Sequence, residues 1–394
     1  MDFWRALRAF LALALAAILA ATPAHGLVTL NFNDGHDHIH VNATFNVSSD
    51  SNIYASRDSK GDYIFSTGLT AAYTRRAGWI GVNASVGVSG SHFATIKGQD
   101  FSNPNFNAEF TKQSGRTTGS LTLGATRQSR ADAAVNLRSS TWAYNAGLNL
   151  AYPVIERFKL AATLTYAGTK QIDNTNLVNL ATYSAGMSMF YVYNTERDLS
   201  TSYRYRRTQT SVSTSTSDHD FSVGMTGRII RGLNGSVNVG YQFRVPDAST
   251  GGETFHGLSA NGAVSYALNR KASLGAQISK DFSTTSTDSS VDSTAADLTL
   301  KYAYSSRWSF NGGLGGGDSR FLGTGGRVII SVGPPPILGP NRRDTFYHWD
   351  AGVSYARSEH MKLSFTYSWF KNWSTTPFAD FVRASWNLNL NSQL

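Results

Sequence analysis

The chain has 394 residues, a formal charge of +9, only 15% charged residues and no cysteine, which excludes a disulfide-stapled scaffold. Beyond the N-terminal segment no apolar run approaches the ~20 residues of a spanning helix, and no basic helix or Arg/aromatic platform is present, so helical membrane domains and nucleic-acid partners are excluded. A mean hydropathy of −0.25 at such low charge, with Ser, Thr, Asn and Gly prominent, suits many strands that each have one polar face.

Residues 1–26 read as a secretory signal peptide. Arg5 and Arg8 precede an apolar run from Ala9 to Ala21, and small residues at Ala24 or Gly26 suit a cleavage site. A transmembrane anchor is the alternative, but the run is short of ~20 residues. Residues 27–394 are expected to form one domain.

Next comes NDGHDHIH, in which His36, His38 and His40 recur at period 2, so an extended chain puts the three imidazoles on one side. Imidazoles suit zinc, copper or nickel, but no second ligand cluster accompanies them. A solvated segment is the simpler reading, and no cofactor is expected.

From Ile39 onward, period-2 segments follow one another almost to the end. Ile39, Val41, Ala43, Phe45 and Val47 alternate with His40, Asn42, Thr44 and Asn46. The stretch Trp142 to Gly168 shows the pattern most fully. Trp142, Tyr144, Ala146, Leu148, Leu150 and Tyr152 share one face, a short link follows at 153–157, and Phe158, Leu160, Ala162, Leu164 and Tyr166 repeat the face. The opposite face is small and polar. About 18 such segments are present, with 16 the nearest alternative count, and each is near the ~9–11 residues of a tilted membrane strand.

Short links such as 194–197, 230–232 and 269–271 alternate without a break with longer polar connections such as 169–180, 283–293 and 316–345. Tight periplasmic turns and long extracellular loops alternate in this way in outer-membrane barrels, whereas a sandwich or propeller has no reason to do so. Aromatics cluster towards segment ends (Trp79, Tyr193, Tyr304, Trp349, Trp369), as interfacial girdles do. The expected fold is all-β: a transmembrane antiparallel up-and-down β-barrel with a water-lined lumen. It belongs in the outer membrane of a Gram-negative bacterium, among outer-membrane lipid and lipopolysaccharide.

By parity, Lys159, Arg204, Arg206, Arg228, Arg244, Lys301, Lys362 and Arg383 face inward, against Glu109, Asp281, Asp297 and Asp350. An excess of cations would guide anions through the pore. Alternatively, several of these groups sit at the rim or pair with carboxylates to brace the wall. The connection 316–345 is unusual, because FLGTGGRVIISVGPPPILGP is apolar and Pro-rich. Phe321, Val328, Ile329, Ile330, Pro334, Pro335 and Pro336 are its candidates for a constriction or lid folded into the pore, or for packing on a neighbouring subunit. His219–Asp220 and His348–Asp350 pair a base with a carboxylate but have no placed nucleophile, so an enzyme is not expected.

The stretch Ser49 to Ala94, SDSNIYASRDSKGDYIFSTGLTAAYTRRAGWIGVNASVGVSGSHFA, resembles the opening of proteins of the Putative beta-barrel porin 2 family, and FSNPNFNAEF (Phe101 to Phe110) is in the same style. That resemblance implies an association with exopolysaccharide secretion, and hence a role in export. One departure is the segment WNLNL (Trp386 to Leu390), which runs on through NSQL rather than ending on an aromatic, the feature expected for the barrel-assembly machinery. The function expected from the sequence is a porin-like channel for export or passage of a polysaccharide or an anionic solute. The alternative is a non-conducting structural or polysaccharide-binding surface barrel.

Overall fold

The structure is a computed structural model. It describes residues 30–32, 36–76, 78–132, 137–174, 177–212, 215–247, 252–323, 327–331, 337–377 and 379–393. The expected signal peptide lies outside these residues.

In chain order the strands are β1 (Leu30–Phe32), β2 (Asp37–Asp50), β3 (Asp62–Arg75), β4 (Gly81–Phe93), β5 (Phe101–Lys112), β6 (Thr118–Asp132) and β7 (Leu137–Ile155). They continue with β8 (Phe158–Gln171), β9 (Leu180–Asn194), β10 (Arg197–Thr210), β11 (Ser215–Ile230), β12 (Leu233–Pro246), β13 (Phe255–Ala267) and β14 (Ala272–Thr284). The last are β15 (Ser290–Ala303), β16 (Trp308–Phe321), β17 (Arg327–Ser331), β18 (Ile337–Asn341), β19 (Arg343–Ser358), β20 (Met361–Ser374) and β21 (Phe381–Gln393). β2 to β16 and β19 to β21 pair antiparallel, each with the next around the wall, and β21 closes on β2 from Asn42↔Gln393 to Asp50↔Ser385. The result is a closed 18-stranded up-and-down barrel. β1 is a short addition to β2, and β17 and β18 form a separate hairpin.

Closure follows from the solvent. Hydrocarbon offers backbone N–H and C=O groups no partner, so a sheet that spans it can leave no open edge. The apolar face of each strand points outward and is bare of protein: Val223 is 65% exposed, Leu258 61% and Leu314 58%. Near the ends of this band the rings pack on one another, Trp142 on Tyr144 at 6.0 Å, Tyr166 on Tyr183 at 5.2 Å and Trp308 on Tyr355 at 4.7 Å.

All 18 apolar segments of the sequence coincide with wall strands, but the strands are longer than expected, 12 to 19 residues. The physical reason is that alternation marks only the lipid-facing part. Above it both faces are wet and the ladder continues through polar residues: β10 runs on through Arg206–Thr210, and β11 starts at Ser215. Residues 215–218, polar on both faces, are therefore strand and not connection. The expected link 153–157 likewise contracts, because β7 runs to Ile155 with an irregularity between Pro153 and Ile155.

With Ala108 excepted, the buried apolar side chains gather at the extracellular end and not at mid-barrel. They include Ile53, Phe93, Leu177, Val178, Phe282, Val291, Phe321 and Phe381. Among the described residues the barrel has no greasy interior, and their apolar packing lies among loops and strand tips turned into its mouth.

Candidate functional site

The wall is split near its outer rim. β13 and β14 pair from Ala267↔Ser273 only up to Ala260↔Lys280. Beyond that point β14 leaves β13 while staying paired to β15 as far as Thr284↔Ser290. The freed hairpin tip turns into the lumen. Phe282, which continues the outward parity of β14, packs instead against the inner wall, where a Cβ on Gly257 of β13 would touch its ring, and Arg244 of β12 lies 5.5 Å from the ring centre. At the far end of the hairpin, Val178 N in the β8–β9 connection donates to Ser286 O at 2.9 Å. The inturned hairpin thus cuts a chord across the mouth.

An ion-pair lattice holds it there. Arg244 is fully buried and donates to both oxygens of Asp218, at 2.6 and 2.8 Å, and through Nη1 to Ser283 O at 2.6 Å. Arg206 donates from Nε to the same Asp218 at 2.7 Å, from Nη1 to Asp281 at 2.8 Å and from Nη2 to Phe282 O at 2.5 Å. Arg204 donates to Asp281 at 3.1 and 3.2 Å and lies 3.9 Å from Asp220. Three arginines on β10 and β12 therefore face three aspartates on β11 and β14. Breaking one partner of such a buried pair typically costs ~3–5 kcal/mol, because the other charge is left unmatched.

The remaining inward charges divide by height. Near the extracellular rim Arg383 makes a bidentate pair with Asp50, at 2.5 to 3.0 Å. Near the short turns Lys159 pairs with Asp198 at 3.2 Å and Arg228 with Glu196 at 2.5 Å. Among the described residues Lys301, Lys362 and Glu109, at that same end, have no ion-pair partner. At mid-wall Asp297 lies 3.0 Å from Nε2 of His348. The pair fits because the inner face of β16 reads Gly313, Gly315, Gly317: a Cβ on Gly315 would collide with both side chains, and one on Gly313 with Asp350. The cations are thus largely paired with carboxylates, the bracing alternative of the sequence.

Two other groups singled out in the sequence are placed only in part. His38 and His40 stack at 6.0 Å on β2, but His36 sits in the preceding turn, and no group of three metal-binding side chains exists among the described residues. In the 316–345 connection, Phe321 is buried as the cross-strand neighbour of Val291, beneath the Arg342 guanidinium at 4.5 Å. Val328, Ile329 and Ile330 fall in β17 of the separate β17–β18 hairpin, while Pro334, Pro335 and Pro336 lie outside the described residues. Among the described residues another segment, the β14–β15 hairpin, is held across the lumen. Sequence reasoning passed over 283–293 because its Ser/Thr-rich residues read as a solvated loop.

A second inward element is the β2–β3 connection. Asn52 and Ile53 are fully buried, and Asn52 donates to Ser56 O at 2.7 Å and Val382 O at 3.1 Å. Ala55 beside them lines a cavity of about 490 Å³ with His348, Asp350, Phe370 and Arg383.

A closed barrel with an apolar outer band, paired aromatic girdles and a charged, hydroxyl-rich lumen is an outer-membrane barrel of the porin-like channel class. Within that class, residues 215–394, from β11 to β21, match the model of the Putative beta-barrel porin 2 family, the family the sequence resembles. The motif at Ser49–Ala94 lies outside that matched segment, so the two signals fall on different parts of the barrel. No curated protein matches the chain. Among solved structures, the apoprotein of the FrpB iron transporter of Neisseria meningitidis (F5-1 variant) aligns with a TM-score of 0.53 at 9% identity, covering 93% of this chain and 82% of that one. OccK5 (OpdH) of Pseudomonas aeruginosa aligns with a TM-score of 0.51 at 11% identity, covering 93% and 99%. Against the F3-3 variant of FrpB the chain spans 62% of that protein's length. At these identities the likeness is one of fold.

Proposed function

We propose that the barrel is a channel through which polysaccharide chains pass the outer membrane, narrowed at its mouth by the inturned β14–β15 hairpin. The observation that carries this reading is the lumen wall of β8 to β14. Thr163, Ser188, Ser202, Ser222, Ser236 and Asn261 present hydroxyls and amides inward, and the arginines above them are matched by aspartates. A chain of hydroxyl-bearing sugars can exchange its water for such a wall without meeting a strong field of either sign. The resemblance to a family associated with exopolysaccharide secretion supports the same direction. The test is passage itself: proteoliposomes holding the full chain should release neutral dextran fragments in a size-dependent manner, and release no faster than from protein-free vesicles would refute the reading.

Passage of an anionic solute is a second reading, favoured by Lys301 and Lys362 at the end of the short turns. A reversal potential on the anion side in a salt gradient, abolished when both lysines are replaced by serine, would favour it.

A further inference from the structure

Below the inturned hairpin lies a cavity of about 580 Å³, within the roughly 300–1,000 Å³ usual for ligand sites. We infer that it is a binding subsite for an uncharged oligosaccharide segment, an inference that deepens the polysaccharide-passage reading and rests on it.

The lining decides the chemistry. Ser202 of β10, Ser222 of β11, Asn238 of β12 and Asn261 of β13 bring hydroxyl and amide groups from four consecutive strands to one space. Each such group both donates and accepts, as sugar hydroxyls do. Asn238 reaches into the cavity because Gly224 opposite has no side chain; a Cβ there would collide with its amide. The lining also includes Phe190, an aromatic on the inward face of β9, whose other aromatics, Tyr183, Tyr191 and Tyr193, alternate to the outer face. It offers an apolar surface to the C–H face of a sugar ring.

Charge disfavours the competing ligand. The charged groups of the lining, Arg204 and Lys280 against Asp220 and Asp281, balance, and Arg204 is held by Asp281 and Lys280 by Asp292, so a polyanion meets no free cation there and faces the carboxylate of Asp220. Asp220 is only 7% exposed, and its Oδ2 accepts no hydrogen bond from the described residues, the nearest cation being Arg204 Nη2 at 3.9 Å. A buried carboxylate oxygen of this kind calls for a donor, and a sugar hydroxyl is one that brings no charge.

Saturation-transfer NMR on the full-length barrel in micelles tests this, with cellotetraose and maltotetraose as neutral probes and tetragalacturonate as the anionic one. Binding of a neutral probe, with the anionic probe at least about tenfold weaker, is the expected result. Asn238→Leu and Asn261→Leu should each weaken the neutral probe about fivefold to tenfold, the loss of one buried hydrogen bond. Ser222→Val, a smaller change, serves where heat-modifiability on a gel shows either variant unfolded. Tighter binding of the anionic probe, or neutral binding indifferent to all three substitutions, overturns the inference. Channel function is read separately on the same preparations. Dextran release without oligosaccharide binding overturns the subsite and leaves the channel standing, whereas binding without release supports the subsite and refutes the channel.

Discussion

Arg244 and Asp218 form a two-point pair wholly inside the wall, with Nε and Nη2 of the one 2.6 and 2.8 Å from the two oxygens of the other. Nη1 of the same guanidinium holds Ser283 O, so one side chain ties the β11–β12 wall to the inturned hairpin. Replacing Asp218 by alanine leaves Arg244 buried and Arg206 half-matched. The expected outcome is a loss of ~3–5 kcal/mol in the docking of the hairpin. A nitroxide attached at Thr287→Cys, in this cysteine-free chain, reads it as increased mobility; an unchanged spectrum would contradict the bracing role.

Arg206 lies between Asp218 and Asp281, 2.7 and 2.8 Å from them. Arg206→Ser removes one positive charge and leaves two carboxylates under-compensated in the mouth. The reversal potential in a potassium chloride gradient should move towards cations, the opposite direction from removing an unpaired carboxylate. No movement would mean that current does not pass this lattice.

Two adjacent residues of β11 separate the faces of the wall. Val223 points outward at 65% exposure, and Ser222 points into the lumen. Val223→Arg should cost about 2–4 kcal/mol in folding into lipid, measured by urea titration in vesicles. Ser222→Arg should cost far less, since its charge meets water. Equal penalties would contradict the assigned faces.

The β4–β5 connection has its own pH dependence. Asp100 accepts from Phe93 N at 2.8 Å and lies 2.6 Å from Nδ1 of His92, and these contacts hold its carboxyl below the ordinary carboxylate range. A depressed folded-state value means stabilisation that is present above the ordinary Asp value of about 3.9 and lost as pH falls through the folded value. A spin label at Lys97→Cys should therefore loosen only in that acid window, while Asp100→Asn should be loose throughout. Identical titrations in the two proteins would refute the anchoring.

The wall was legible in the sequence because lipid enforces a rule that one dimension can carry. Leu148, Leu150 and Leu164 must alternate with Gly147, Asn149 and Thr165, whatever else the chain does. Where lipid ends, the rule ends. The extension of β10 through Arg207–Thr210 and the two small hairpin strands β17 and β18 had no apolar period to announce them. Arg204, Arg206 and Asp281 were recognisable as inward residues, but their meeting joins β10 to β14 across 75 and 77 residues, a distance that parity does not measure. Phe282 shows why most plainly. It keeps the outward beat of Ala276 and Ile278, and only the loss of pairing with β13 turns that beat against the inner wall.

Single-channel recording in planar bilayers tests the central claim, a polar pore narrowed by a docked hairpin, most directly. The full-length chain should give stable open steps, and replacing residues 284–290 by a Gly-Gly turn together with Asp281→Ser should enlarge those steps while keeping them discrete. Steps of the same size in both proteins, or conductance in neither, would contradict it.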